Sequence, residues 1–181
     1  MQLFGAYLSP FTSRVMLQIT AKGLDIPLVP PPDGLKSEAY LSLNPMGKIP
    51  ALDTGSGIIA ESAVICEFLE DTFPETPLGG STAAERAQIR LIAQIFDLYI
   101  MNAMLPIFGQ MDPTTRDQAV VDATVEACLQ GLGFAEAHLD GSSYAVGGKL
   151  TLADCIAAQY WLTREAPANG SATPNCGRNV S

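Results

Sequence analysis

Apolar residues change their rhythm near residue 75. Before it, short apolar runs alternate with helical patterns; after it, the apolar positions recur at helical spacing throughout. Gln2-Leu3-Phe4-Gly5 reads as a strand that runs into the loop 6–12. Thr12 or Ser13 then caps a predicted helix ending at Lys22, with Val15, Met16 and Ile19 as its apolar stripe. Gly23 stands where a left-handed stop belongs, with a lysine in the last turn. A short strand near Leu28-Val29, the turn 30–34 and a brief helical segment at 37–43 follow. Strands at 51–53 and 58–60 flank the turn 54–57. A helix over 62–72 carries Val64, Ile65, Phe68 and Leu69. The order βαβαββα predicts one sheet with helices on its faces.

Residues 73–81, with Pro74, Pro77, Gly79 and Gly80, have a linker's composition. A helix over 83–104 follows, with Ile89, Ile92, Phe96 and Ile100 on one side and Pro106 closing it. Asp112-Pro113 opens a second helix reaching about Leu139. Gly131 and Gly133 weaken its later half by about 1 kcal/mol each. A turn over 140–148 leads to a third helix, 151–161, where Thr151-Leu152-Ala153-Asp154 has the form of a capping box. From about Arg164 the chain holds Pro, Asn, Gly and Ser with almost no apolar residue, and an irregular tail is expected. The expected division is 1–75 for the sheet domain, 76–82 for the linker, 83–163 for the helical domain and 164–181 for the tail.

Composition narrows the partners. In 181 residues, 48% hydrophobic and 16% charged, there is enough apolar material for a substantial core. A formal charge of -9 lacks the basic footprint that nucleic acid requires. No apolar run approaches a membrane span and no signal-like segment opens the chain, so a cytoplasmic protein is expected. Cys66, Cys128, Cys155 and Cys176 have no metal-like spacing, and the first three fall in apolar helical patterns as small hydrophobes. The single histidine, His138, follows a helical run and is expected at a helix end or on the surface. No metal site is expected.

The chemistry concentrates in Asn44-Pro45-Met46-Gly47-Lys48-Ile49-Pro50-Ala51-Leu52 and in Ile59-Ala60-Glu61-Ser62. A proline that begins a strand, in a tight turn, is the usual setting for a cis peptide. Such a bend exposes the Ile49 N–H and C=O beside the helix opened by Glu61-Ser62, whose N-terminus attracts a carboxylate. A small, anionic, peptide-like ligand suits both groups.

Four blocks, in order, resemble the cytosolic glutathione transferases over roughly residues 1–162. They are Ser9-Pro10-Phe11-Thr12-Ser13-Arg14-Val15 closing with Lys22-Gly23-Leu24; Asn44 to Leu52; Glu61-Ser62-x-x-Ile65-x-x-Phe68-Leu69-Glu70; and Gly147-Gly148-x-Leu150-Thr151-Leu152-Ala153-Asp154. The resemblance implies a thioredoxin-like α/β domain followed by an all-α domain. It further implies glutathione as co-substrate without a cofactor, conjugation to hydrophobic electrophiles as in detoxification, and a homodimer with 62–72 and 83–104 at its interface. Asp97 could then reach the neighbour's γ-glutamyl site.

In this family the enzyme keeps glutathione's thiol as thiolate. Lowering a pKa near 8.5 by about two units takes roughly 2.7 kcal/mol. One hydroxyl donating to the sulfur supplies about 1.5–3 kcal/mol, and a helix N-terminus adds several tenths. The available hydroxyls are Tyr7, Ser9, Thr12 and Ser13; by resemblance the position before Pro-Phe, Ser9, carries the role. Ser62, whose bland reading is a helix cap, and Glu61 would hold the γ-glutamyl end. Ile49, beside Pro50, would pair its backbone with the cysteinyl unit. Lys48, with Lys36 as a second candidate, would neutralise the glycyl carboxylate. Tyr7, Phe11, Leu105 and Phe108 would line the acceptor pocket, though each serves equally well as core. No cysteine stands at the Ser9 position, the Ser-Ser-Cys signature of the zeta class is absent, and the polar tail replaces the family's closing helices. A non-catalytic scaffold, or another glutathione-dependent isomerase, peroxidase or dehalogenase, therefore competes with conjugation.

Overall fold

The computed structural model describes residues 1–139 and 141–164. Asp140 and, past Arg164, the predicted polar tail with Cys176 lie outside them. Four strands, β1 (Gln2–Phe4), β2 (Leu28–Val29), β3 (Ala51–Asp53) and β4 (Ile58–Ala60), form one sheet in the order β2-β1-β3-β4. β1 runs parallel to β2, joined to it by the crossover helix α1 (Pro10–Lys22), and antiparallel to β3, which pairs with antiparallel β4. The register sets Leu3 between Leu28 and Leu52, and Leu3 and Leu52 are fully buried. Helices α2 (Glu38–Leu43) and α3 (Ser62–Thr72) complete the predicted thioredoxin-like half.

The core runs unbroken into the second half, from Val15, Ile19, Ile65 and Leu69 through Leu78 to Ile89, Ile92, Phe96 and Ile156. The segment with a linker's composition is pinned down. Glu70 accepts the Leu78 and Gly79 N–H groups at 2.8 Å each. Lys22, 2.8 Å from Glu70, donates to Phe73 O and Thr76 O.

The helical half departs from expectation at its ends. The helix expected over 83–104 is α4 (Ala83–Ile95), a π-helical segment (Phe96–Met101), the single turn α5 (Asn102–Met104) and a 3₁₀ segment (Leu105–Gln110). The α-helical geometry ends at Met104, as expected, but the chain continues as a 3₁₀ segment that takes Pro106 in its first turn. Asp112-Pro113 does not open the next helix. Asp112 accepts the Thr114 N–H and hydroxyl at 2.9 and 2.8 Å in a local turn, and α6 (Gln118–Glu136) starts five residues later under the Asp117 cap.

The last helix, α7 (Leu152–Arg164), extends past the expected 161. The reciprocal capping box before it does not form. Asp154 accepts the Thr151 N–H and hydroxyl at 2.7 and 2.8 Å, plus the Ala145 N–H at 2.7 Å. Contrary to the sequence reading, the 28-residue run Ala83–Gln110 contains an 18-residue window of mean hydropathy 1.6, long and apolar enough by length and composition to cross a membrane. In this fold its Ile89, Ile92, Ile95, Phe96 and Ile100 are buried in the shared core. His138 sits just beyond α6, its Nδ1 2.8 Å from Phe134 O.

Candidate active site

The first turn of α1 is built by the Ser-Pro step. Pro10 occupies the opening helical position, where its φ is preset and its missing N–H is no loss. The helix therefore begins earlier than expected, and Ser9, not Thr12 or Ser13, is its cap. Ser9 Oγ accepts the Thr12 N–H at 3.3 Å. That contact uses an oxygen lone pair and leaves the Ser9 O–H proton for another partner. The other loop hydroxyls are placed differently. Thr12 is fully buried, Ser13 Oγ lies within hydrogen-bonding distance of Tyr7 O and Ser9 O, and Tyr7 is 79% exposed.

The loop between α2 and β3 carries the predicted cis Ile49–Pro50 bond. It is clamped from beneath. Lys48 O accepts from Tyr40 Oη at 2.6 Å and from Asn44 Nδ2 at 2.8 Å, while Asn44 Oδ1 accepts the Met46 N–H at 3.3 Å.

Opposite this loop α3 begins without a side-chain cap. Helices α1, α2, α4 and α6 are capped by Ser9, Ser37, Thr82 and Asp117, but Glu61 caps α3 with backbone only. Ser62, whose bland reading was the cap, lies inside the first turn and is buried. Glu61 adopts φ 67°, a left-handed conformation. For a residue with a Cβ this costs about 1–2 kcal/mol, and such strain clusters at ligand clamps. The α3 N-terminal amides thus keep capacity for an anion.

These pieces meet in one open cleft of about 100 Å³, whose wall includes Phe11, Lys48, Ile49, Pro50, Glu61 and Ser62. Asn44 and Met46 also line it, and the sequence reading missed them as site residues. Their signal lay in the turn itself, since an asparagine before proline reads as a loop anchor. Ser9 and Tyr7 lie outside the lining, on the loop that leads into α1, whose first turn carries Phe11. Leu105 and Phe108, about half exposed on the 3₁₀ segment, are outside this lining, as is Lys36, whose Nζ lies beside Gly47. Arg14, also missed, is 1% exposed; its guanidinium sits 5.4 Å from the Phe11 ring centroid and grips Asp97 with two hydrogen bonds. Both Asp97 oxygens thus accept from Arg14 of their own chain.

A thioredoxin-like sheet half followed by an all-helical half defines the architectural class. The family model described as glutathione S-transferase, N-terminal domain, matches residues 3–77, and that for the C-terminal domain matches 95–175. The chain is 31% identical over 166 residues to glutathione S-transferase U7 of Arabidopsis thaliana, covering 90% of this chain and 70% of that protein. It is also 31% identical over 122 residues to a probable elongation factor 1-gamma 1 of the same plant, covering 67% of this chain and 30% of that protein. Among solved structures, glutathione S-transferase III in its apo form aligns with TM-score 0.75 at 32% identity, over 89% of this chain and 79% of that one. The chain belongs to the glutathione S-transferase family and is an enzyme of that class.

Proposed function

We propose that this enzyme transfers the glutathione thiolate to hydrophobic electrophiles, with the Ser9 O–H donating to the sulfur. The observation that carries the reading is the convergence of Lys48, Ile49, Pro50, Glu61 and Ser62 on one cleft, whose wall includes Phe11, two residues from Ser9. In this reading the tripeptide lies across the cleft. Its γ-glutamyl carboxylate meets the open α3 N-terminus and Ser62, and its ammonium meets Glu61. Its cysteinyl backbone pairs with Ile49, and its glycyl carboxylate faces Lys48. No prosthetic group takes part. Residues 1–75 act as the glutathione domain and 83–163 as the helical domain across the linker 76–82. Tyr7 and Phe11, with Leu105 and Phe108, flank the acceptor.

The test is turnover of a chloronitroaromatic with glutathione. Ser9→Ala should lower it about ten- to a hundredfold, the effect of losing a charge-assisted hydrogen bond, and should move the bound thiol's pKa back toward about 8.5. Undiminished turnover removes Ser9 from the role. We also propose a homodimer joined through α3 and α4; a one-chain mass by light scattering at micromolar concentration would count against it. A second reading, a glutathione-transferase-like binding module, draws on the elongation factor 1-gamma relative that matches 67% of this chain. Retention on immobilised glutathione without turnover of any acceptor would favour it.

A further inference from the structure

The Lys48 carbonyl is the meeting point of two buried side chains. Tyr40 is fully buried, packed edge-on against Phe4 of β1 at 5.9 Å between ring centroids, and its hydroxyl donates to Lys48 O at 2.6 Å. Asn44, 2% exposed, donates to the same oxygen at 2.8 Å. These bonds tie the Lys48–Ile49 peptide to α2 and, through Phe4, to the sheet. The only cis bond among the described residues is the next one, so the Lys48–Ile49 unit is trans and its N–H points opposite to its C=O. With the carbonyl drawn inward to Tyr40, the Ile49 N–H is turned outward, and Ile49 lines the cleft.

We propose that Tyr40 and Asn44 are positioning residues for glutathione: together they fix and polarise the Lys48–Ile49 peptide, aiming a strengthened Ile49 N–H at the tripeptide's cysteinyl carbonyl. The inference rests on reading the cleft as the glutathione site. An amide whose oxygen accepts two hydrogen bonds carries more positive charge on its N–H, so bonds in series reinforce one another. The side chain of residue 49 is then of little consequence, while two residues behind it set the strength of its backbone. Burial holds the Tyr40 phenol above its ordinary 10.0, against a smaller opposing pull from Asn44, so it remains a protonated donor at neutral pH.

Tyr40→Phe keeps the ring and its packing on Phe4 and removes only the hydroxyl. Glutathione binding by calorimetry and the KM for glutathione should both weaken about three- to tenfold, with kcat at saturating glutathione within about twofold of wild type. Asn44→Ala should shift the same constants in the same direction. A purely structural role is separated by a glutathione isostere whose Cys-Gly amide is replaced by a trans-alkene. Lacking the acceptor carbonyl, it should bind wild type and Tyr40→Phe alike. Equal glutathione binding by the variant and wild type overturns the inference, as does an equal loss for both ligands. Wild-type protein that fails to bind glutathione overturns the reading of the cleft itself, and that failure is visible before any variant is measured.

Discussion

Four hydroxyls lie within seven residues of one another at the start of α1, and their surroundings give each a different task. Thr12 is sealed inside, Ser13 faces main-chain carbonyls, Tyr7 is largely in solvent, and Ser9 caps the helix with its proton unspent on that contact. The thiols show the same dependence on surroundings. Burial is the main cause that pushes Cys66 and Cys155 up to about 12, the nearby Arg14 pulling Cys66 only partly back. At pH 8 both should resist iodoacetamide in the native state and label at the rate the protein unfolds, followed by mass spectrometry; rapid native labelling would oppose this. The sign of the pH effect follows. The unfolded thiols ionise near 9.0 and the folded ones near 12, so stability is unaffected below pH 9 and falls as pH rises between the two values.

At the scale of elements, α6 separates two glycines that look alike in the sequence. Gly131 is buried where α6 crosses the π-helical segment; a Cβ there would lie 2.5 Å from Tyr99 O and 2.8 Å from Ile100 Cγ1. Gly133 has nothing within 4 Å. Helix propensity alone predicts the same gain for alanine at both. The packing predicts that Gly131→Ala destabilises by about 1–3 kcal/mol through overpacking, while Gly133→Ala stabilises by about 0.4–1 kcal/mol. Urea melts of the two variants read the difference, and shifts of the same sign would refute the packing account. Elements with strong periodicity, such as α3 and the β3–β4 hairpin, were legible with their limits, because their signals are local. The helix starts that were misread depended on local chemistry around the first turn. The Asp112 side chain satisfies a turn instead of a helix start, Asp154 draws the Thr151 hydroxyl away from the cap, and Pro10 advances α1 by three to four residues.

The whole molecule is held by contacts between residues far apart in the chain. Arg14 of α1 and Asp97 of the π-helical segment, 83 positions apart, join the two halves next to the cleft, with Phe11 laid against the same guanidinium. Lys22 and Glu70 fasten the linker, and the shared core passes beneath it. Arg14, Gln18 and Lys22 recur at four-residue spacing on α1, and all three are buried. Periodicity marks these positions as one face; on composition alone such a face is assigned to solvent. Only the partners brought by α3, the linker and the helical half make its burial affordable, since a buried charge is tolerated when paired and hydrogen-bonded.

The amino-acid order by itself determined the succession of strands and helices, the cis-proline loop and the Glu61-Ser62 helix start, because each follows from dihedral preference, turn chemistry and apolar spacing within a dozen residues. Tertiary structure alone decided that Asp97 serves Arg14 in its own chain and that Tyr40 and Asn44 stand behind the Lys48 carbonyl. It also decided that Ser9 rather than a neighbour begins α1 beside Phe11 on the cleft wall. Those outcomes depend on which desolvated donor meets which acceptor across the fold, and that pairing exists only once the chain has packed.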